Sequence, residues 1–122
     1  MKYLVMIYYD EKRLDALPRS EFDTLVDEAL DYDESLRQGG NYLASQALQS
    51  VRTARTLHVR DGKVSVTDGP FAETKEQLGG FWLIEARDLD HAVRLAAKAP
   101  PGRLGSLEVR PIMELTHSTK AT

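Results

Sequence analysis

The segment Tyr3–Tyr9, which reads YLVMIYY, is apolar or aromatic at every position, and this limits what the chain can fold into. In a strand, Tyr3, Val5, Ile7 and Tyr9 point one way while Leu4, Met6 and Tyr8 point the other, so both faces need cover and the strand belongs in the middle of a sheet. The chain offers two helices as cover. Ser20, with Asp23 three residues later, predicts a helix start, followed by a stripe of Phe22, Leu25, Val26, Ala29, Leu30 and Leu36 that Gly39-Gly40 ends. Asp88 predicts the cap of a second helix through Leu89, Ala92, Val93 and Ala96, stopped at Ala99-Pro100-Pro101-Gly102. Two helices cover one side of a four- or five-stranded sheet. The other side, with Met, Tyr, Trp and Ile still to bury, is most simply covered by a second copy, which predicts a homodimer built sheet against sheet.

The remaining segments complete an α+β order. Tyr42–Leu48 reads as a second strand. Asp61-Gly62 reads as a two-residue hairpin turn, because both positions accept positive φ, and it pairs Val59 with Val64 and Leu57 with Val66. One hairpin face then carries Leu57, Val59, Val64 and Val66, and the other carries Thr56, His58, Arg60, Lys63, Ser65 and Thr67. The same register sets Arg55 opposite Asp68 on the apolar face, where an unpaired carboxylate is costly, so Arg55 is its expected partner. Phe81–Glu85 and a final strand through Leu107, Val109 and Met113 follow, with Pro111 marking a sheet edge or bulge. The order is β-α-β, hairpin, β-α-β. At 122 residues it makes a single domain, expected over residues 1–116, with 117–122 as a loose tail.

A net charge of −3 argues against a general nucleic-acid binder, which needs a concentrated basic surface. Charge is uneven, with Glu21, Asp23, Asp27, Glu28, Asp31, Asp33 and Glu34 in the first helical region and Arg52, Arg55, Arg60 and Lys63 around the hairpin. This reads as two ends of a solvated surface. The apolar run from Tyr3 is interrupted at Asp10, far short of the roughly 20 residues that span a bilayer, so no membrane association is expected. No cysteine is present for a disulfide framework and no export signal is visible, so the expected compartment is the cytoplasm.

Between the hairpin and the Phe81 strand runs DGPFAETKEQLGGF, residues 68–81. Asp68-Gly69-Pro70 favours a sharp reversal, and Ala72–Leu78 predicts one or two helical turns closed by Gly79-Gly80. This stretch closely resembles the signature of the DGPF group of YCII-related proteins, and the likeness extends from LVMIYYDE through FWLIEARDLDHA to VRPIMEL. The resemblance implies a ferredoxin-like α+β barrel dimer. It also implies a regulatory setting linked to extracytoplasmic-function sigma factors. Some YCII-related enzymes use a His on the first helix and an Asp just before a Pro late in the chain. Here the helix Glu21–Gln38 has no histidine and Ala99 precedes Pro100, so that dyad does not carry over. The positions that match the signature are Asp68, Gly69, Pro70, Phe71, Glu73, Thr74, Lys75, Glu76, Gly79 and Gly80.

Three function classes follow. In the first, a small binding or accessory module holds a ligand between the sheet and the motif loop, with Phe71, Trp82 and Tyr8 as lining and Asp68 as polar anchor. Gly69, Pro70, Glu73, Thr74, Lys75 and Glu76 complete that site. In the second, a cofactor-independent lyase, isomerase or dehydrochlorinase moves a proton with Asp68 or His58, helped by burial of a carboxyl against Phe71, Phe81 or Trp82. The competing reading of these residues is structural, with Asp68 held by Arg55 and Glu73 and Glu76 solvated beside Lys75. In the third, the chain is a scaffold with no pocket. His58, His91 and His117 lack metal-ligand spacing, and no phosphate loop, dinucleotide fingerprint or nucleophile elbow appears, so neither metal nor cofactor is expected.

Overall fold

The computed structural model describes residues 1–118. Strand β1 (Lys2–Tyr9) leads through a short helix α1 (Glu11–Asp15) into the long helix α2 (Arg19–Gln38) and strand β2 (Tyr42–Ala47). The hairpin β3 (Arg55–Arg60) and β4 (Lys63–Asp68) follows, then β5 (Gln77–Glu85), α3 (Leu89–Ala96) and β6 (Gly105–Pro111). The main sheet has the order β2-β5-β1-β6, with every neighbouring pair antiparallel, and β3-β4 forms a separate two-stranded sheet. Without the hairpin this is the split β-α-β arrangement of a ferredoxin-like α+β fold.

β1 is central, as its double apolar character requires. Tyr3, Val5 and Ile7 are buried against Tyr32 and Leu36 of α2, Trp82 and Ile84 of β5, and Ala92 and Ala96 of α3. Leu4, Met6 and Tyr8 face the opposite side with Phe81 and Leu83, and all five are only partly covered. No helix lies on that face among the described residues, so the predicted shortage of cover is present in the structure. Pro111 ends β6, an edge strand, where its missing N–H costs no ladder bond.

The hairpin register is the predicted one: Val59 faces Val64, Leu57 faces Val66 and Arg55 faces Asp68. Asp61 and Gly62 sit at φ 52° and 75°, the left-handed pair that a tight turn of this hand demands. Its apolar face is bare, with Leu57, Val59, Val64 and Val66 each 57–67% exposed. The Asp68 carboxylate is therefore in solvent, its side chain 86% exposed, rather than buried, although Arg55 does pair with it at 3.0 Å.

Four local expectations are corrected. The residues after Phe71 form no helical turn; they are irregular up to β5, which begins at Gln77, four residues earlier than expected. Gly79 and Gly80 are strand residues rather than helix stops. A Cβ on Gly79 would lie 2.3 Å from the Tyr9 ring and one on Gly80 2.8 Å from the Gln46 carbonyl, so close packing, not turn geometry, selects them. Helix α2 starts at Arg19 after Pro18 with no side-chain cap, because Ser20 lies inside the first turn, where its carbonyl accepts from the Thr24 hydroxyl. The short helix α1 was not anticipated; Asp10 caps it by accepting from the Lys12 amide at 3.0 Å. Asp88 caps α3 as expected, accepting from the His91 amide at 2.8 Å. Of the expected tail, residues 119–122 lie outside the described residues.

Candidate functional site

Two concavities flank β1 and β5, one on each face of the sheet. The first lies at the motif loop. The Gly69 amide donates to the Ala54 carbonyl at 2.8 Å and the Thr56 hydroxyl donates to the Gly69 carbonyl at 2.8 Å, which folds the loop back over the polar face of the hairpin. The Phe71 ring comes to rest 6.2 Å from that of His58, yet Phe71 stays 82% exposed. Gln77 Nε2 donates to the carbonyls of Ala72 and Thr74, and Glu76 accepts from the Ser106 hydroxyl at 2.9 Å, so side chains rather than a helix hold the loop. Tyr8, Pro70, Phe71, Thr74 and Glu76 line a shallow, open depression of about 650 Å³.

The other sequence-predicted residues are placed elsewhere. Trp82 is on the helix side of the sheet, opposite Tyr8, because the two differ in strand parity about the β1–β5 register, so they do not share a cavity. Asp68, Glu73 and Lys75 are exposed, Gly69 is half-buried, and none of the four lines the depression. Asp68 and His58 project from opposite faces of the hairpin, since Asp68 pairs with Arg55 and His58 with Ser65. The two candidate proton carriers therefore cannot act on one substrate atom.

The second concavity was not anticipated. It is a cavity of about 390 Å³ between α2 and the helix side of the sheet, lined by Ile7, Phe22, Leu25, Ala29, Trp82 and Leu104 among other apolar groups, with Asp33 as its one charged lining residue. Asp33 Oδ1 accepts from the Trp82 indole N–H at 2.5 Å and from the Ser45 hydroxyl at 3.3 Å. Ser45 in turn shares a 2.9 Å hydrogen bond with the Tyr42 hydroxyl. Trp82 also stands edge-on to Tyr32, with ring centroids 5.1 Å apart at 87°. Asp33 is half-buried and not part of the solvated acidic surface it resembles in sequence. A signal was available: 33 is four past Ala29 and three before Leu36, so a carboxylate sits within the apolar stripe of α2.

Tyr32, beside this cavity, serves as a hydrogen-bond donor. Burial, and then the charge of Asp33, pushes Tyr32 up to about 12, and its hydroxyl donates to the Leu95 carbonyl at 2.6 Å. Tyr9 is raised too, by burial and then by Glu11 and Asp15. His91, at the start of α3, is lowered by loss of solvent and by Arg87 and Arg94, and its Nδ1 accepts from the Arg87 amide at 3.1 Å. Among the described residues no three His, Asp or Glu side chains converge to hold a metal ion, and no helix is long and apolar enough to cross a membrane.

The sequence pattern that defines the YCII-related domain matches residues 1–116. The chain belongs to the YCII-related family. An uncharacterised protein of Rhizobium meliloti (strain 1021) is 36% identical over 115 residues, covering 92% of each chain. Among solved structures the chain is similar to 5-chloro-2-hydroxyhydroquinone dehydrochlorinase from Burkholderia phenoliruptrix AC1100, in complex with 2,5-dihydroxybenzoquinone. That likeness has a TM-score of 0.50 at 17% identity, over 98% of this chain and 97% of that one. At that identity the likeness speaks to the YCII-type fold and not to the chemistry.

Proposed function

We propose that this YCII-related protein is a homodimeric module that binds a small, largely apolar ligand in the cavity between α2 and the sheet. The observation that carries the reading is the cavity itself: about 390 Å³, open on one side, lined mostly by aliphatic and aromatic groups, with a single charged side chain to orient what enters. This is the usual build of a small-molecule site, apolar for affinity and sparsely polar for orientation. The dimer rests on a separate observation. Leu4, Met6, Tyr8, Phe81 and Leu83 form a contiguous, half-covered apolar face on the side of the sheet without helices, and monomers seldom leave such a patch to water. Pairing the sheets of two copies would also bring a partner surface over the motif-loop depression of each, enclosing Tyr8 and Phe71. A cytoplasmic sensor of this kind suits the sigma-factor setting implied by the family resemblance, the ligand being the signal. The alternative is an enzyme in which Asp68 or His58 moves a proton alone; Asp68 is solvated and paired with Arg55, which disfavours it as the base.

Two measurements test the two halves. Light scattering at micromolar concentration is expected to give twice the chain mass, and Met6→Asp, which places a charge in the middle of the open face, is expected to give the monomer. A monomeric wild type would refute the dimer. For the cavity, binding of 2-phenylethanol read through Trp82 fluorescence is expected in the wild type and is expected to be lost in Ala29→Leu, which fills the space. Unchanged binding in that variant would refute the location.

A further inference from the structure

We infer that the α2 cavity selects a small amphiphilic amine, with its ammonium group held by Asp33 and its apolar body lying along Ala29 and Val26. The inference rests on the cavity being a ligand site, as proposed above, and adds the chemical class. Both hydrogen bonds that Asp33 receives go to Oδ1; Oδ2 receives none among the described residues. Asp33 also takes part in no ion pair among the described residues. Arg37, one turn further along α2, is engaged elsewhere: it donates to Glu34 at 3.3 Å and its guanidinium lies 4.3 Å above the Tyr42 ring. No Lys, Arg or His lines the cavity to balance the charge.

A carboxylate half-buried beside apolar walls gives up part of its hydration, and a cation offsets that loss better than neutral donors do. Trp82 and Ser45 supply two donors, which hold the carboxylate in position but leave its charge uncompensated. An ammonium group would compensate it. It brings three donors and makes a charge-assisted bond to Oδ2. The same charge repels a ligand carboxylate. A neutral alcohol would gain one ordinary hydrogen bond and no charge compensation. The site is thus built for discrimination by charge at one end and by shape along the rest.

Three isosteric probes separate these cases: 2-phenylethylamine, 2-phenylethanol and phenylacetate, each titrated against the fluorescence of Trp82, the chain's one tryptophan. The amine is expected to bind at least about tenfold tighter than the alcohol, and phenylacetate weakest, in keeping with the greater strength of a charge-assisted bond. Asp33→Asn keeps the shape and an acceptor and is expected to erase the amine's advantage over the alcohol. Should that variant fail to fold, Leu30→Lys serves. It changes an exposed rim position one turn before Asp33, and its cation is expected to compete with the amine and spare the alcohol. Equal affinities for amine and alcohol in the wild type, or an amine preference that survives Asp33→Asn or Leu30→Lys, would overturn the assignment and leave the cavity reading standing. If none of the three probes perturbs Trp82, both fall together.

Discussion

The four-stranded sheet and the β3–β4 hairpin both carry a row of apolar residues at every second position, yet the two rows meet opposite fates. In β1 the residues Tyr3, Val5 and Ile7 are at most 3% exposed, whereas the corresponding row of the hairpin, Leu57, Val59, Val64 and Val66, is at least 57% exposed. The difference is supplied by sequence-distant partners: α2 and α3 fold over one face of the sheet, and among the described residues no element folds over the apolar face of the hairpin. Alternation specifies which face seeks cover and says nothing about what supplies it. Burial is thereby concentrated in one part of the molecule. The sheet holds the fold together, while the bare face of the hairpin and the open face of the sheet remain to be met by something else.

Mutations break this comparison in graded steps. The largest effect is expected from Ile84→Ala, since Ile84 is fully buried between the helices and the sheet; a loss of about 2–5 kcal/mol in urea unfolding is the usual cost of such a cavity. Val64→Ala, the same kind of truncation on the hairpin, is expected to cost below about 0.5 kcal/mol in the isolated chain because the side chain is already in water. A comparable loss for the two would erase the distinction between the regions.

Next in size is Tyr32, which ties α2 to α3 through the Leu95 carbonyl. Its phenol is raised in the fold, from 10.0 to about 12, so the neutral form is favoured there. The stability it contributes is complete below about pH 10 and is lost as pH rises toward about 12. Tyr32→Phe is expected to cost about 1–1.5 kcal/mol at neutral pH, by removing one of the two hydrogen bonds that the Leu95 carbonyl accepts, the Lys98 amide keeping the other, and to reduce the alkaline slope of the unfolding free energy. An unchanged slope would show that Tyr32 does not carry it.

In the hairpin the expected effects are smaller. Gly62→Ala places a side chain at φ 75° and is expected to cost about 1 kcal/mol, read as a lowered thermal midpoint. Smallest of all is Arg55→Ala. The pair with Asp68 is exposed on both sides, so less than about 0.5 kcal/mol should follow, and the hairpin register, set by Asp61-Gly62, should be retained in amide chemical shifts.

The same contrast explains what could be read in advance. The hairpin was legible residue by residue because its register is decided locally, by two turn positions that require positive φ and by strand parity on either side. The centrality of β1, the cap at Asp88 and the shortage of helices were legible for similar reasons. Gly79-Gly80 misled, because the cause of those glycines is the ring of Tyr9 and the carbonyl of Gln46, which reach them from distant parts of the chain. The site was the hardest to read. Trp82 and Phe71 are eleven positions apart in a motif-rich stretch, but strand parity sends Trp82 to the helix side, while Phe71 stays out on the loop. Asp33 was present in the apolar stripe of α2 and passed for one more acidic residue of a charged helix.

One hydrogen bond has a consequence for how such a chain can change. The Gly69 amide and the Ala54 carbonyl meet at 2.8 Å, so the two ends of the hairpin leave and rejoin the body of the protein at nearly the same point. Neither hairpin strand shares a ladder with the main sheet. An arm anchored in this way can grow, shrink or exchange its aliphatic row without forcing any rearrangement at its root. Descendants of such a chain could therefore acquire new associates through that arm alone, with the interior passing unaltered from one to the next.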